Sequence, residues 1–241
     1  MVAVANEKAA SPDVGRLCEE VSKALKLSQP GMVAKVEGDL VVAEGEFAVR
    51  VDGCPDERFT VKVEIEADFP ATEPAVLETD GRIPRTLNRH MYDKSGACCT
   101  GVYEEWLAEV ENPSVAAFID GPVERFFYSQ VFYELTEAVE GTGQWPFGER
   151  SHGLMGILEG YAVALGIEHD PKDISQLIAH LSLLERKSVK GHVRCPCGSG
   201  RRLRDCHAEL IRRQRLKVPP RLARRMLVRI AKELRRTRGA G

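Results

Sequence analysis

No run of this sequence is long and apolar enough to cross a bilayer. The best stretch, residues 154 to 167, is interrupted by Glu159. The opening residues, MVAVANEKAA, lack a basic start followed by a long apolar core. No secretion signal is therefore expected, and the cytoplasm is the expected compartment. A disulfide framework is missing too: the seven cysteines are odd in number and clustered, at positions 18, 54, 98, 99, 195, 197 and 206. Their spacing suits a metal site (195, 197, 206), a reactive thiol at 98 or 99, and two bystanders. Cys18 falls in an amphipathic helix pattern and Cys54 in a Gly-Cys-Pro turn.

What is present is ordinary in bulk and uneven in arrangement. The 241 residues suffice for one medium domain with an appendage, or two small domains. Hydrophobic residues make up 43% and charged residues 29%, as in a globular protein. The net charge of −2 conceals a division: residues 1 to 185 carry a net −18, and residues 186 to 241 a net +16. An acidic body joined to a basic tail either folds back on itself or reaches for a separate anionic partner.

Ser11-Pro12-Asp13 marks a helix start, with a capping hydroxyl and proline in the first turn. The helix is expected to reach about Leu27, before Gln29-Pro30-Gly31. Strands are expected over Met32 to Val36, Leu40 to Val51, Phe59 to Glu66 and Ala75 to Glu78. In the third, Val61, Val63 and Ile65 alternate with Lys62, Glu64 and Glu66, the period of a half-buried antiparallel strand. Gly53, Pro55 and Asp56 supply the turn before it. Residues 81 to 104 show little periodicity, and a long irregular segment in a compact domain is usually functional. Core-facing helical stripes follow. One is Phe127, Val131, Leu135 and Val139; the next is Leu154, Ile157, Leu158, Tyr161 and Leu165. A third opens at Asp170-Pro171 and carries Ile174, Leu177, Ile178, Leu181 and Leu184. The order predicts an α+β fold with an antiparallel meander of about four strands and segregated helices.

Within CPCGSGRRLRDCH, Cys195, Cys197, Cys206 and His207 form three thiols and an imidazole, a closed tetrahedral set of the kind that holds structural zinc. Gly198 and Gly200 permit the sharp turn between the ligand pairs. The short segment has little apolar content, so the metal is expected to supply most of its folding free energy. Those 13 residues resemble the SecA-like C-terminal zinc motif, SEC-C. The resemblance implies one structural zinc and a docking role toward protein partners or ribosomes. It implies no catalysis, because four protein ligands leave no open position.

A second resemblance rests on residues 69 to 106. Phe69-Pro70-Ala71-Thr72-Glu73-Pro74 leads into a short strand, followed by His90, by Gly96-Ala97-Cys98-Cys99 and by Trp106. This resembles the ubiquitin-conjugating (UBC) family, in which a His-Pro-Asn motif precedes a Gly-x-x-Cys loop and a downstream tryptophan. Here Met91-Tyr92 replaces Pro-Asn, and Asn88 is the nearest asparagine. The resemblance implies a UBC-like domain over 1–145, a helical extension over 146–188, the zinc motif over 189–210 and a basic tail over 211–241. It implies Cys99 as nucleophile and His90 as the residue that orients the loop or supplies a hydrogen bond. The helices after residue 114 look closer to bacterial UBC-like proteins of antiphage operons. The implied activity is transfer of an acyl group held as a thioester on Cys99. The implied partners are an activating enzyme and, as cargo, the C-terminus of a ubiquitin-like protein or a cGAS-like nucleotidyltransferase. Three other functions suit the same residues: a UBC-like scaffold without chemistry, a cysteine hydrolase pairing Cys99 with His152 or His90, and a ribosome or nucleic-acid adaptor. His152 suits either a base or a helix cap.

After Pro219-Pro220, a helix carries Leu222, Met226, Ile230 and Leu234 on one face and arginines elsewhere. It binds RNA, DNA or an acidic membrane, or it docks on the protein's own body or a partner subunit. No aromatics interleave the basic residues, which argues against base stacking on single strands.

Overall fold

The computed structural model describes residues 12–51, 56–92, 95–167 and 174–239. Ser11, the Gly53-Cys54-Pro55 turn, His169 and the Asp170-Pro171 helix start lie outside the described residues. The chain forms two compact units. Residues up to Gly101 join Asn112–Gly148 in the first, and Val102–Glu111 joins Glu149–Gly241 in the second.

The first unit opens with α1 (Pro12–Ser28), which buries Val14, Leu17, Val21 and Leu25 at helical spacing. The meander follows: β1 (Met32–Glu37), β2 (Leu40–Val49), β3 (Glu57–Glu66) and β4 (Ala75–Glu78). Two short strands, β5 (Met91–Tyr92) and β6 (Ala97–Cys98), extend it into a six-stranded antiparallel sheet of order β1-β2-β3-β4-β6-β5. The alternation in β3 sorts as its period requires. Val61, Val63 and Ile65 are buried, while Lys62 pairs with Glu64 at 2.7 Å on the more open face. A four-residue helix, α3 (Val115–Phe118), passes through a wider turn at Ile119–Val123 into α4 (Glu124–Glu140). Phe127 of α4 packs against Phe47 and Phe59 of the sheet, with ring centroids 5.2 and 4.8 Å away.

The expected core stripe of α4 is only half correct. Phe127 and Val131 are buried, but Leu135 is 37% and Val139 85% exposed. The helix outruns the sheet that its first half covers.

The second unit is helical: α2 (Tyr103–Glu109), α5 (Leu154–Leu165), α6 (Ile174–Leu184), α7 (Ala208–Lys217) and α8 (Pro220–Gly239). Its core joins Leu158, Tyr161 and Leu165 of α5 to Leu177, Leu181 and Leu184 of α6, Ile211 of α7, and Met226 and Ile230 of α8. The buried Gln214 side chain of α7 donates to Leu165 O at 2.8 Å, satisfying a carbonyl at the end of α5. His180 of α6 lies 3.4 Å from the same amide, and burial holds its imidazole below the usual histidine range. Among the described residues, no helix is long and apolar enough to cross a membrane.

Candidate functional site

The candidate residues gather in two clusters, one in each unit. In the first, the β5–β6 hairpin sets the thiols. The Cys99 amide donates to His90 O at 2.8 Å, so the two residues face each other across the hairpin backbone. Neighbouring side chains on a strand point to opposite faces. Cys98 accordingly turns inward, 8% exposed, and Cys99 stays half-buried. Burial pushes the Cys98 thiol up to about 12, only partly offset by a hydrogen bond from the Glu78 backbone. The Tyr92 hydroxyl donates to Cys99 Sγ at 3.1 Å. Tyr92 stands two residues after His90, where the UBC motif has its asparagine.

Gly96 has two reasons to be glycine. Its φ is +81°, and a Cβ there would lie 2.2 Å from Glu78 O. The buried Glu78 carboxylate accepts from the amides of Asp80, Gly81 and Arg82 and pairs with Arg85 Nη1 at 2.7 Å. Arg85 Nη2 also reaches Glu78 O at 2.7 Å. The other flank is anchored to α4: Arg89 Nε donates to Gln130 Oε1 at 2.9 Å, and Gln130 Nε2 donates back to Arg89 O at 2.9 Å. His90 follows at φ +52°, its ring edge-on to Trp145 at 4.8 Å. The segment read as irregular is thus a short, pinned hairpin. Trp106 lies on α2 of the second unit.

The two thiols are expected to differ in reactivity, because only thiolate attacks. At pH 8, iodoacetamide should modify Cys99 about tenfold or more faster than Cys98, counted by mass spectrometry on the tryptic peptide holding both. Equal rates would contradict the assigned burial. The raised Cys98 thiol also makes stability depend on pH. Between about 9.0 and 12 the unfolded chain loses a proton that the folded chain keeps, so this contribution is full below pH 9 and fades above it.

In the second unit, Cys195, Cys197, Cys206 and His207 place one donor atom each within 4.8 Å of all the others. His207 Nδ1 is 3.3 Å from both Cys195 Sγ and Cys206 Sγ, and Cys197 Sγ is 3.6 Å from Cys206 Sγ. A tetrahedral centre with metal–sulfur bonds of about 2.3 Å has edges of about 3.5–3.8 Å, so the donor set fits a four-coordinate cation. The loop is built by Arg194 pairing with Arg202, by the Cys195 amide donating to Arg201 O at 2.9 Å, and by Gly198 and Gly200 at φ +77° and +73°. Ser199 Oγ lies 3.2 Å from Cys197 Sγ and 3.4 Å from Cys206 Sγ, and helps hold the Cys197 thiol below its usual range. Cys195 and Leu203 are buried in the core of the second unit, so the loop is seated on helices.

The tail helix is docked within that unit as well. Leu222, Ala223, Met226 and Ile230 are buried. Glu104 of α2, nearly inaccessible, accepts from Arg225 Nε at 2.9 Å and Arg229 Nη1 at 3.0 Å. The Tyr161 phenol is pushed up by burial and then by the Glu104 charge. Glu105 of α2 pairs in the same way with Arg150 through two bonds. The N-cap residue of α5 is Gly153, which has no side chain to cap the helix, and the exposed His152 precedes it.

The family description SEC-C motif matches residues 194–209, which contain all four donors. SEC-C motifs are of a zinc-binding type, and the likeness covers that segment alone. No curated protein and no solved structure matches the chain.

Proposed function

We propose that the first unit is a ubiquitin-conjugating-like acyl carrier, and that the second holds one structural zinc through Cys195, Cys197, Cys206 and His207 to recruit a target. The observation that carries the first half is the split between neighbouring thiols: Cys98 is sealed, whereas Cys99 is accessible with a hydroxyl at 3.1 Å from its sulfur. In this scheme the Cys99 thiolate attacks the carbonyl of an activated cargo C-terminus and expels the activating group as the C–S bond forms. A target amine then attacks the thioester, releases the Cys99 thiolate and loses a proton as the amide bond forms. The Tyr92 hydroxyl is placed to stabilise sulfur or oxyanion charge, and His90 holds the hairpin. The cargo is the C-terminus of a ubiquitin-like protein or of a cGAS-like nucleotidyltransferase, in a bacterial antiphage setting and with an activating enzyme upstream. The zinc, with four protein ligands, supplies folding free energy and no reaction step.

Co-expression with operon neighbours and non-reducing gels test the first half. A thiol-sensitive adduct of higher mass should form, disappear in Cys99→Ala and persist in Cys98→Ala. No adduct with any neighbour would favour a scaffold without chemistry, which the loss of Pro-Asn after His90 also suits. Dependence on Cys98 would contradict the assignment.

A further inference from the structure

The cations of α8 divide into two sets. Arg225 and Arg229 turn inward onto Glu104. Arg221, Arg224, Lys232, Arg235 and Arg236 are exposed, at spacings that put them along one side, opposite the buried Ala223, Met226 and Ile230. Arg224 lies 3.9 Å from Glu185 and Arg236 is 3.3 Å from Glu233. Arg221, Lys232 and Arg235 have no ion-pair partner among the described residues. The row runs for about 22 Å along the helix axis.

We infer that this face binds a nucleic-acid duplex through its phosphates. Three observations favour that partner. First, residues 186 to 241 carry a net +16 with only three carboxylates, a surplus of one sign that suits a polyphosphate backbone. Arginine predominates, and its planar fork suits phosphate oxygens. Second, the apolar side of α8 is consumed by the core, so the helix has no free apolar face to bury in a lipid surface. Third, Val228, 61% exposed, is the one large apolar residue exposed on the helix, too little to anchor an acidic protein partner. No aromatic residue occurs after Tyr161, so stacking on single-stranded bases is unavailable. The helix length spans about six steps of a duplex at 3.4 Å each, and binding through phosphates is indifferent to sequence.

The test uses the full chain and fluorescence anisotropy with a 20-base-pair RNA duplex, a DNA duplex of the same length, a single strand and phosphatidylserine vesicles. The expected result is duplex binding that weakens steeply with salt. The variant Arg221→Gln/Lys232→Gln/Arg235→Gln should lose about tenfold or more in affinity, and its log–log salt slope should fall by about two to three. All three side chains are exposed, and an unchanged circular dichroism spectrum certifies the fold. Absence of duplex binding at 50 mM salt, unchanged binding by the variant, or preference for single strands or vesicles would overturn the inference. The assay is independent of Cys99 and stands apart from the conjugation experiment.

Discussion

Cys195→Ser is expected to abolish metal binding and to destabilise the second unit by more than about 4 kcal/mol, within the range reserved for lost metal sites. The serine hydroxyl is a poor replacement for a thiolate, and three remaining donors leave the cation open to water. Cys195 is only 5% exposed and sits in the same core as Leu203, Ile211 and Leu177, so release of the metal does not stop at the loop. It unseats Leu203 and with it the start of α7, whose first turn His207 closes by accepting from the Ile211 amide. Hydrogen exchange should show protection lost in residues 191 to 217 and retained in the β-sheet of the first unit. A variant that keeps wild-type protection there would show that the loop folds without its metal.

Glu104→Ala should cost about 3 kcal/mol, at the lower end for a broken buried ion pair. Its carboxylate is almost inaccessible and serves two guanidinium groups, each about a quarter exposed, at 26%. Removing it leaves two mostly covered cations without their carboxylate, and each can recover some water. That recovery keeps the cost at the lower end of the range. The loss should appear as faster exchange along α8 and release of its C-terminal turns to proteases. The triple change Glu104→Leu with Arg225→Met and Arg229→Met, which removes the carboxylate and both of its partners, should be much milder. If Glu104→Ala leaves α8 protected, the apolar contacts of Met226 and Ile230 suffice on their own.

The parts that were legible from residues are those with a period or a fixed chemical grammar. The alternation of Val61, Val63 and Ile65 announces β3, and it lies as expected in an antiparallel sheet. The stripe on α8 announces an amphipathic helix, and Leu222, Met226 and Ile230 are its buried residues. Cys195, Cys197, Cys206 and His207 announce one cluster by ligand type and spacing, and their donors converge. Strands of two residues have no period to read, so β5 and β6 were hidden inside a stretch that looked irregular. The helix α2 was hidden for another reason. Glu104 and Glu105 look like a solvated face, yet both are buried because arginines far along the chain neutralise them. Gln130 and Gln214 are similar: their amides are buried because backbone carbonyls need donors. Tyr92 is not legible as a partner of Cys99, because a tyrosine in place of the asparagine has no fixed chemical pattern. Its signal was position, two residues after the histidine, and the structure puts its hydroxyl at the Cys99 sulfur. The tail had two fates at the outset. One face of α8 does dock on the protein's own helices, and the opposite face remains cationic.

Cys195, Cys197, Cys206 and His207 are expected to hold one zinc ion in the second unit. X-ray absorption at the zinc edge of the full chain, purified with zinc, tests it most directly. The expected spectrum is four-coordinate, with three sulfurs at about 2.3 Å and one nitrogen at about 2.0–2.1 Å, at one zinc per chain. A protein that binds no zinc, or a spectrum dominated by oxygen ligands in a six-coordinate shell, would contradict it.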